Sequence, residues 1–97
     1  MRVISRPPLI DFQKTHPDSK GALETWYHEA KKADWDSPIA IKLKYRSASF
    51  VGNNRVVFNI CGNKYRLVVK LNYHAKIIFI RFIGTHRDYD TINVEEV

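Results

Sequence analysis

From Ser37 to Arg87 the chain contains no aspartate and no glutamate. All ten acidic residues lie outside that stretch, between Asp11 and Asp36 or between Asp88 and Glu96. Mg²⁺ takes oxygen ligands, so a two-metal nuclease site is not expected within this segment. There is one cysteine, Cys61, which rules out an internal disulfide. Inside an apolar run it reads as a small buried hydrophobe. The four histidines (His16, His28, His74, His86) have no i, i+4 pairing and no cysteine partner, so a zinc site is not expected either. G-x-x-x-x-G-K-[ST], G-x-G-x-x-G and G-x-S-x-G are all missing, which argues against a phosphate loop, a dinucleotide site and a nucleophile elbow. No cofactor is expected. No apolar run nears the ~20 residues that span a bilayer, and no N-terminal stretch resembles a signal peptide. The expectation is a cytoplasmic chain with no membrane role.

What fills the acid-free stretch is base. It holds Lys42, Lys44, Arg46, Arg55, Lys64, Arg66, Lys70, Lys76, Arg81 and Arg87. The whole chain carries a formal net charge of +6 with a pI near 9.6. Charge segregated in this way suits a polyanion: nucleic acid, a ribosome or an acidic protein. At 97 residues, 44% hydrophobic and 12% aromatic, the chain reads as one domain, residues 1–97, with one modest core.

The pattern predicts an α+β fold, N-terminal helices packed on a small antiparallel sheet. Met1–Ile4 is β-leaning, an edge-strand candidate. Ser5 is placed to cap a helix that starts at Arg6-Pro7-Pro8 and stops before His16-Pro17. Asp18 or Ser19 then caps a second helix. In it Leu23, Trp26, Tyr27 and Ala30 form one apolar stripe. Ser37-Pro38 is a third helix start, reaching about Tyr45, although Ile39, Ile41, Leu43 and Tyr45 alternate as a strand would. Gly52-Asn53-Asn54 marks a turn. A meander follows: Arg55–Cys61, a two-residue turn at Gly62-Asn63, Lys64–Tyr73, a turn near His74-Ala75, and Lys76–Ile83 ended by Gly84. Tyr65, Leu67, Val69, Leu71 and Tyr73 share one face. Lys64, Arg66, Val68 and Lys70 share the other, expected to lie open. Arg87–Val97 reads as a helical turn or a short strand.

These residues suit metal-free RNA cleavage. RNA brings its own nucleophile, the 2′-hydroxyl. An enzyme must deprotonate it, neutralise charge at phosphorus and protonate the leaving 5′-oxygen. Fixed Arg and Lys cations serve the middle step. Histidine suits proton transfer, and tyrosine can transfer protons or stack on bases. Arg66 in mid-strand, with His86, Tyr89 and Asp90 just past the next strand, can converge at one edge of the open face. Plainer readings stand beside this one. Arg66 as a solvated strand residue, His86 in a turn, Tyr89 closing the core, and Asp88 and Asp90 as caps would all satisfy the pattern. Lys42, Lys44 and Arg46 read first as a solvated face.

The blocks Val56-Val57-Phe58-Asn59-Ile60-Cys61-Gly62-Asn63-Lys64-Tyr65-Arg66-Leu67-Val68 and Phe82-Ile83-Gly84-Thr85-His86-Arg87-Asp88-Tyr89-Asp90, in that order and spacing, resemble the HigB family of bacterial toxins, within the RelE-like superfamily. The resemblance implies a compact fold of helices against an antiparallel sheet. It implies an mRNA interferase acting on translating ribosomes, held inactive by a HigA-type helix-turn-helix antitoxin. Operator DNA would be reached only indirectly, through that antitoxin. By the same resemblance Arg66 meets the scissile phosphate, His86 stands where relatives put a basic residue or histidine, and Tyr89 matches a C-terminal tyrosine tied to activity; from their chemistry His86 is expected to transfer protons, Tyr89 to stack or transfer protons, and Asp90 to orient a neighbour. Lys42, Lys44, Arg46, Lys64, Lys70 and Arg87 are expected to hold RNA. Relatives use a lysine pair as base; only Lys42 and Lys44 stand here, so the general base is left unassigned. Two alternatives remain: a ParE-like gyrase inhibitor on the same fold, and a non-catalytic RNA- or ribosome-binding module.

Overall fold

The structure is a computed structural model describing residues 1–97. Its helices are α1 (Pro7–Thr15), α2 (Lys20–Lys32), α3 (Pro38–Lys44) and α4 (His86–Tyr89), with a 3-10 turn at Pro17–Ser19 before α2. Its strands are β1 (Arg2–Ile4), β2 (Ser49–Val51), β3 (Arg55–Ile60), β4 (Tyr65–Asn72) and β5 (Ile77–Thr85). They form one sheet in the order β1-β5-β4-β3-β2. This is the expected α+β class. The β3–β4–β5 pairs are antiparallel, as expected; β2, a strand the sequence reading did not foresee, adds antiparallel to β3, and β1 joins β5 in parallel, so the sheet is mixed. A parallel pair needs a long crossover, and everything between Ser5 and Lys76 supplies it.

One face of the sheet takes the helices. Leu9 of α1, Leu23, Trp26 and Ala30 of α2, and Ile41 of α3 meet Val56, Phe58, Leu67, Val69, Leu71, Ile78 and Ile80 in one cluster. The α2 stripe is therefore the one its spacing predicts. Tyr27, at the margin of that stripe, is half-buried beneath the Arg6 guanidinium, 3.8 Å from its ring centre. In α3 the helical reading holds: Ser37 Oγ accepts from Ala40 N, and Ile41 is fully buried while Ile39 and Leu43 are exposed.

Local details depart from the sequence reading in ways that have causes. Ser5 does not cap α1; it is itself left-handed (φ 69°), turning the chain out of β1, and Arg6 holds the cap position without a side-chain bond. Neither Asp18 nor Ser19 caps α2. The Asp18 carboxylate is taken by Lys64 and Tyr65, and Ser19 Oγ donates back to the His16 carbonyl at 2.7 Å. The β3–β4 loop is four residues, Cys61–Lys64, with the left-handed positions at Cys61 and Gly62 rather than Gly62 and Asn63. Gly84 does not end β5, which runs on to Thr85. Within β5 a bulge leaves Arg81 without an opposite residue, since Val68 faces Phe82 and Val69 faces Ile80.

The second face is less open than expected. Val57 and Val68 are buried there. The residues after α4 return toward this side: Asn53 Nδ2 donates to the Glu95 carbonyl, and Arg55 and Arg81 both donate to the Val97 carbonyl. What stays open is the end of the face near the β3–β4 loop and α4.

Candidate active site

Arg66 sits in β4 with Asn59 of β3 on one side and Gly84 of β5 on the other. Alternation decides its direction. Leu67 points into the core, so Arg66 points to the opposite face. There its Nη1 donates to Asn59 Oδ1, and to Asn63 Oδ1 at 2.7 Å. Both partners are neutral amides. They fix the guanidinium without cancelling its charge, and Arg66 has no carboxylate in salt-bridge range.

Gly84, directly across from Arg66, lets α4 come close. A Cβ there would lie 2.5 Å from the Phe82 ring tip and 3.1 Å from Asp88 Cβ. Thr85 then starts α4 with a capping box: its Oγ1 accepts from Asp88 N at 3.1 Å, and Asp88 Oδ2 accepts from Thr85 N. The start of α4 is tied to the hairpin as well, His86 N donating to the Lys64 carbonyl. This one turn of helix presents His86, Tyr89 and Asp90 together. The Tyr89 ring lies 5.7 Å from Arg66 Cζ and 6.4 Å from the His86 ring. His86 Nδ1 is 3.3 Å from Asp90 Oδ2. With the proton on Nδ1 the carboxylate accepts it, and Nε2 is left for a substrate.

The residues singled out from sequence thus divide. Arg66, His86, Tyr89 and Asp90 come together. Arg87 is exposed on the same helical turn. Lys64 borders the site, but its ammonium is held by the Asp18 carboxylate. Lys70 is exposed on the Arg66 side of β4, four residues along, or about 13 Å away. Lys42, Lys44 and Arg46 do not converge with Arg66. α3, which carries Lys42 and Lys44, packs on the core side, where Lys42 donates to the Ala48 carbonyl at 2.7 Å and Lys44 pairs with Glu29 at 3.3 Å, and Arg46 lies in the turn just past its end. Nowhere do three His, Cys, Asp or Glu side chains group as metal ligands.

Asp18 is the support that sequence reading missed. Its carboxylate takes Lys64 Nζ on one oxygen and the Tyr65 hydroxyl on the other at 2.7 Å, and its carbonyl accepts from Cys61 Sγ. These bonds clamp the β3–β4 loop to the start of α2. The hydrogen bonds from Lys64 and Tyr65 hold the Asp18 pKa below the ordinary 3.8. In return the Asp18 bond raises Lys64, and it raises Tyr65 together with desolvation. Asn59 and Asn63 were also missed. Asparagine is depleted in strands, so Asn59 inside Val56–Ile60 is the one signal of it in the sequence.

Arg66, on the second face of a helix-backed sheet, thus faces a short C-terminal helix that carries His86 and Tyr89. Residues 19–92 match the model of the HigB toxin family, described as the RelE-like toxic component of a toxin–antitoxin system, and the chain belongs to that family. It is similar to the mRNA interferase HigB of Escherichia coli O6:H1, 26% identical over 94 residues, covering 95% of this chain and 91% of the relative. It is also similar to the mRNA interferase toxin HigB of Escherichia coli K12 and to the mRNA interferase HigB of Shigella flexneri. Each is 26% identical over 92 residues, covering 93% of this chain and 88% of the relative.

Proposed function

We propose that the chain is a metal-free endoribonuclease that cuts mRNA on translating ribosomes, using Arg66, His86, Tyr89 and Asp90. The observation that carries this is the convergence of an uncompensated arginine with an oriented imidazole at the open end of one sheet face. The 2′-oxygen attacks phosphorus as its proton leaves, and the bond from phosphorus to the 5′-oxygen breaks. The products are a 2′,3′-cyclic phosphate and a 5′-hydroxyl end. Arg66 neutralises the charge that gathers on the non-bridging oxygens. His86 moves a proton through Nε2, held in place by Asp90. Tyr89, whose ring adjoins Arg66, offers a face for a base. Arg87, Lys64 and Lys70 lie on or beside this side of the sheet and supply cationic surface for the RNA, while Lys42, Lys44 and Arg46 face a second stretch of RNA or ribosome. The neutralising partner is a HigA-type helix-turn-helix antitoxin, through which alone operator DNA is met. The setting is the cytoplasm, where no membrane is engaged. In the structure, no helix is long and apolar enough to cross one.

Inducing the protein and mapping new 5′ ends in cellular mRNA tests this. The wild type should create such ends, and a double Arg66→Ala/His86→Ala variant should lose them by at least about a hundredfold, the scale of removing a charge-stabilising group. Growth arrest with intact mRNA and inhibited DNA supercoiling would contradict the proposal.

A further inference from the structure

Both N–H groups of Arg66 Nη1 are used within the protein, one on Asn59 Oδ1 and one on Asn63 Oδ1. Nη2 and Nε remain for a phosphate. A guanidinium has donors only, so each asparagine must turn its oxygen toward it. The amide nitrogen, on the same carbon, then points elsewhere with two N–H donors. Those of Asn63 meet no acceptor of the protein.

The two amides differ in place. Asn59 is half-buried in β3, on the far side of Arg66 from β5 and α4. Asn63 is exposed in the β3–β4 loop, beside Lys64, whose carbonyl accepts from His86 N at the start of α4. It therefore stands on the side where Arg66 meets the helix that carries His86 and Tyr89. The loop is fixed at several points. Lys64 N donates to the Cys61 carbonyl at 3.3 Å, Cys61 Sγ donates to the Asp18 carbonyl, and the Asp18 carboxylate takes Lys64 Nζ and the Tyr65 hydroxyl. A donor already in place needs no reorganisation when charge develops beside it. The residue type fits this task. An amide holds the arginine through its oxygen and keeps donors for an anion on its nitrogen. A carboxylate in the same place would cancel the charge of Arg66 and repel a phosphate.

We propose that Asn63 is a second phosphate donor of the site, its Nδ2 N–H donating to one non-bridging oxygen of the scissile phosphate beside Arg66. The inference rests on the endoribonuclease reading above. The test is cleavage of ribosome-bound mRNA carrying one phosphorothioate at the cut position, as the separated Rp and Sp isomers. Sulfur accepts N–H donors poorly, so each isomer weakens the contact at one oxygen and leaves the other. The wild type should cut one isomer at least about tenfold more slowly than the other, the scale of one hydrogen bond to a charged group. Asn63→Ala should cut the all-oxygen message about a hundredfold more slowly, and its two isomers should differ by no more than about twofold, as expected when one oxyanion donor is removed. Asn63→Asp keeps an acceptor for Arg66 but has no donor, and should lose the isomer difference as well. Asn59→Ala removes an anchor of Arg66 and should slow both isomers in proportion, keeping the difference. The ratio compares two substrates on one protein, so it does not depend on the fraction folded. An isomer difference that survives in both Asn63 variants, one lost equally in Asn59→Ala, or none in the wild type would overturn the donor role while leaving the nuclease intact. No cleavage of all-oxygen mRNA by the wild type would overturn the nuclease reading itself.

Discussion

Arg66 is held by the amide oxygens of Asn59 and Asn63, and the choice of amide over carboxylate has a cost that can be measured. Asn59→Asp keeps the shape and the acceptor but puts a negative charge against the guanidinium. The paired arginine would then offer less field to a phosphate, so RNA cleavage should fall by about ten- to a hundredfold with the fold intact. Rates and melting curves measured together would separate this from simple unfolding. Asp18 presents the opposite case, a carboxylate that is satisfied. Its pKa is lower in the folded protein than in the unfolded chain, so it stabilises at neutral pH. That contribution begins to go as pH falls below about 4, and is lost once pH passes below the folded value. Lys64 has the reverse sign: its raised pKa stabilises below the ordinary 10.5 and loses effect as pH climbs past the folded value. Asp18→Asn should therefore lower the melting temperature at pH 7 and flatten its decline between about pH 5 and pH 3. A variant whose acid limb matched the wild type would show that the clamp contributes nothing.

At the scale of elements, the readable features were those with a local period. The α2 stripe, the Ser37-Pro38 start of α3 and the β3–β4–β5 meander all rest on neighbours within a few residues. Partnerships formed across the chain left no such trace. The parallel seat of β1 beside β5, the bulge at Arg81, and the return of the residues after α4 over Val57 and Val68 depend on distant segments. Caps were misread at Ser5 and Asp18 for the same reason: each residue had a stronger demand elsewhere. Gly84 is where one element constrains another. Gly84→Ala would press the new methyl on Phe82 and Asp88, moving α4 away from Arg66. We expect about 1–3 kcal/mol of destabilisation, as for other overpacked sites, and a loss of cleavage larger than the stability change explains. Ser37→Ala, which removes only the α3 cap, should cost about 1 kcal/mol and leave cleavage by the folded protein unchanged. Denaturant titration of both variants beside their rates would check the contrast.

For the whole molecule, net charge foretold the kind of partner but not its geometry. The acid-free stretch is one band in sequence and two surfaces in space, because β4 sends Arg66 and Lys70 to one face while α3 packs on the other. Of the candidate site, Arg66, His86, Tyr89 and Asp90 were legible from residue chemistry and resemblance. Asn59, Asn63 and Asp18 were not, since supporting residues carry ordinary side chains whose work appears only once the hairpin closes. With a net charge of +6, affinity for ribosomes should drop at least tenfold between about 50 and about 200 mM salt. Neutralising Lys70 and Arg87 should make that slope shallower.

The central claim is that RNA supplies the nucleophile and Arg66 the charge. The chemistry of the cut ends tests this most directly. A ribosome-bound mRNA cut by the wild type in the presence of a chelator should yield 5′-hydroxyl ends and 2′,3′-cyclic phosphates. A single 2′-deoxy substitution at the cut position should abolish cleavage there, and Arg66→Ala should lose the products altogether. Ends bearing a 5′-phosphate, or undiminished cutting at the deoxy position, would contradict the account.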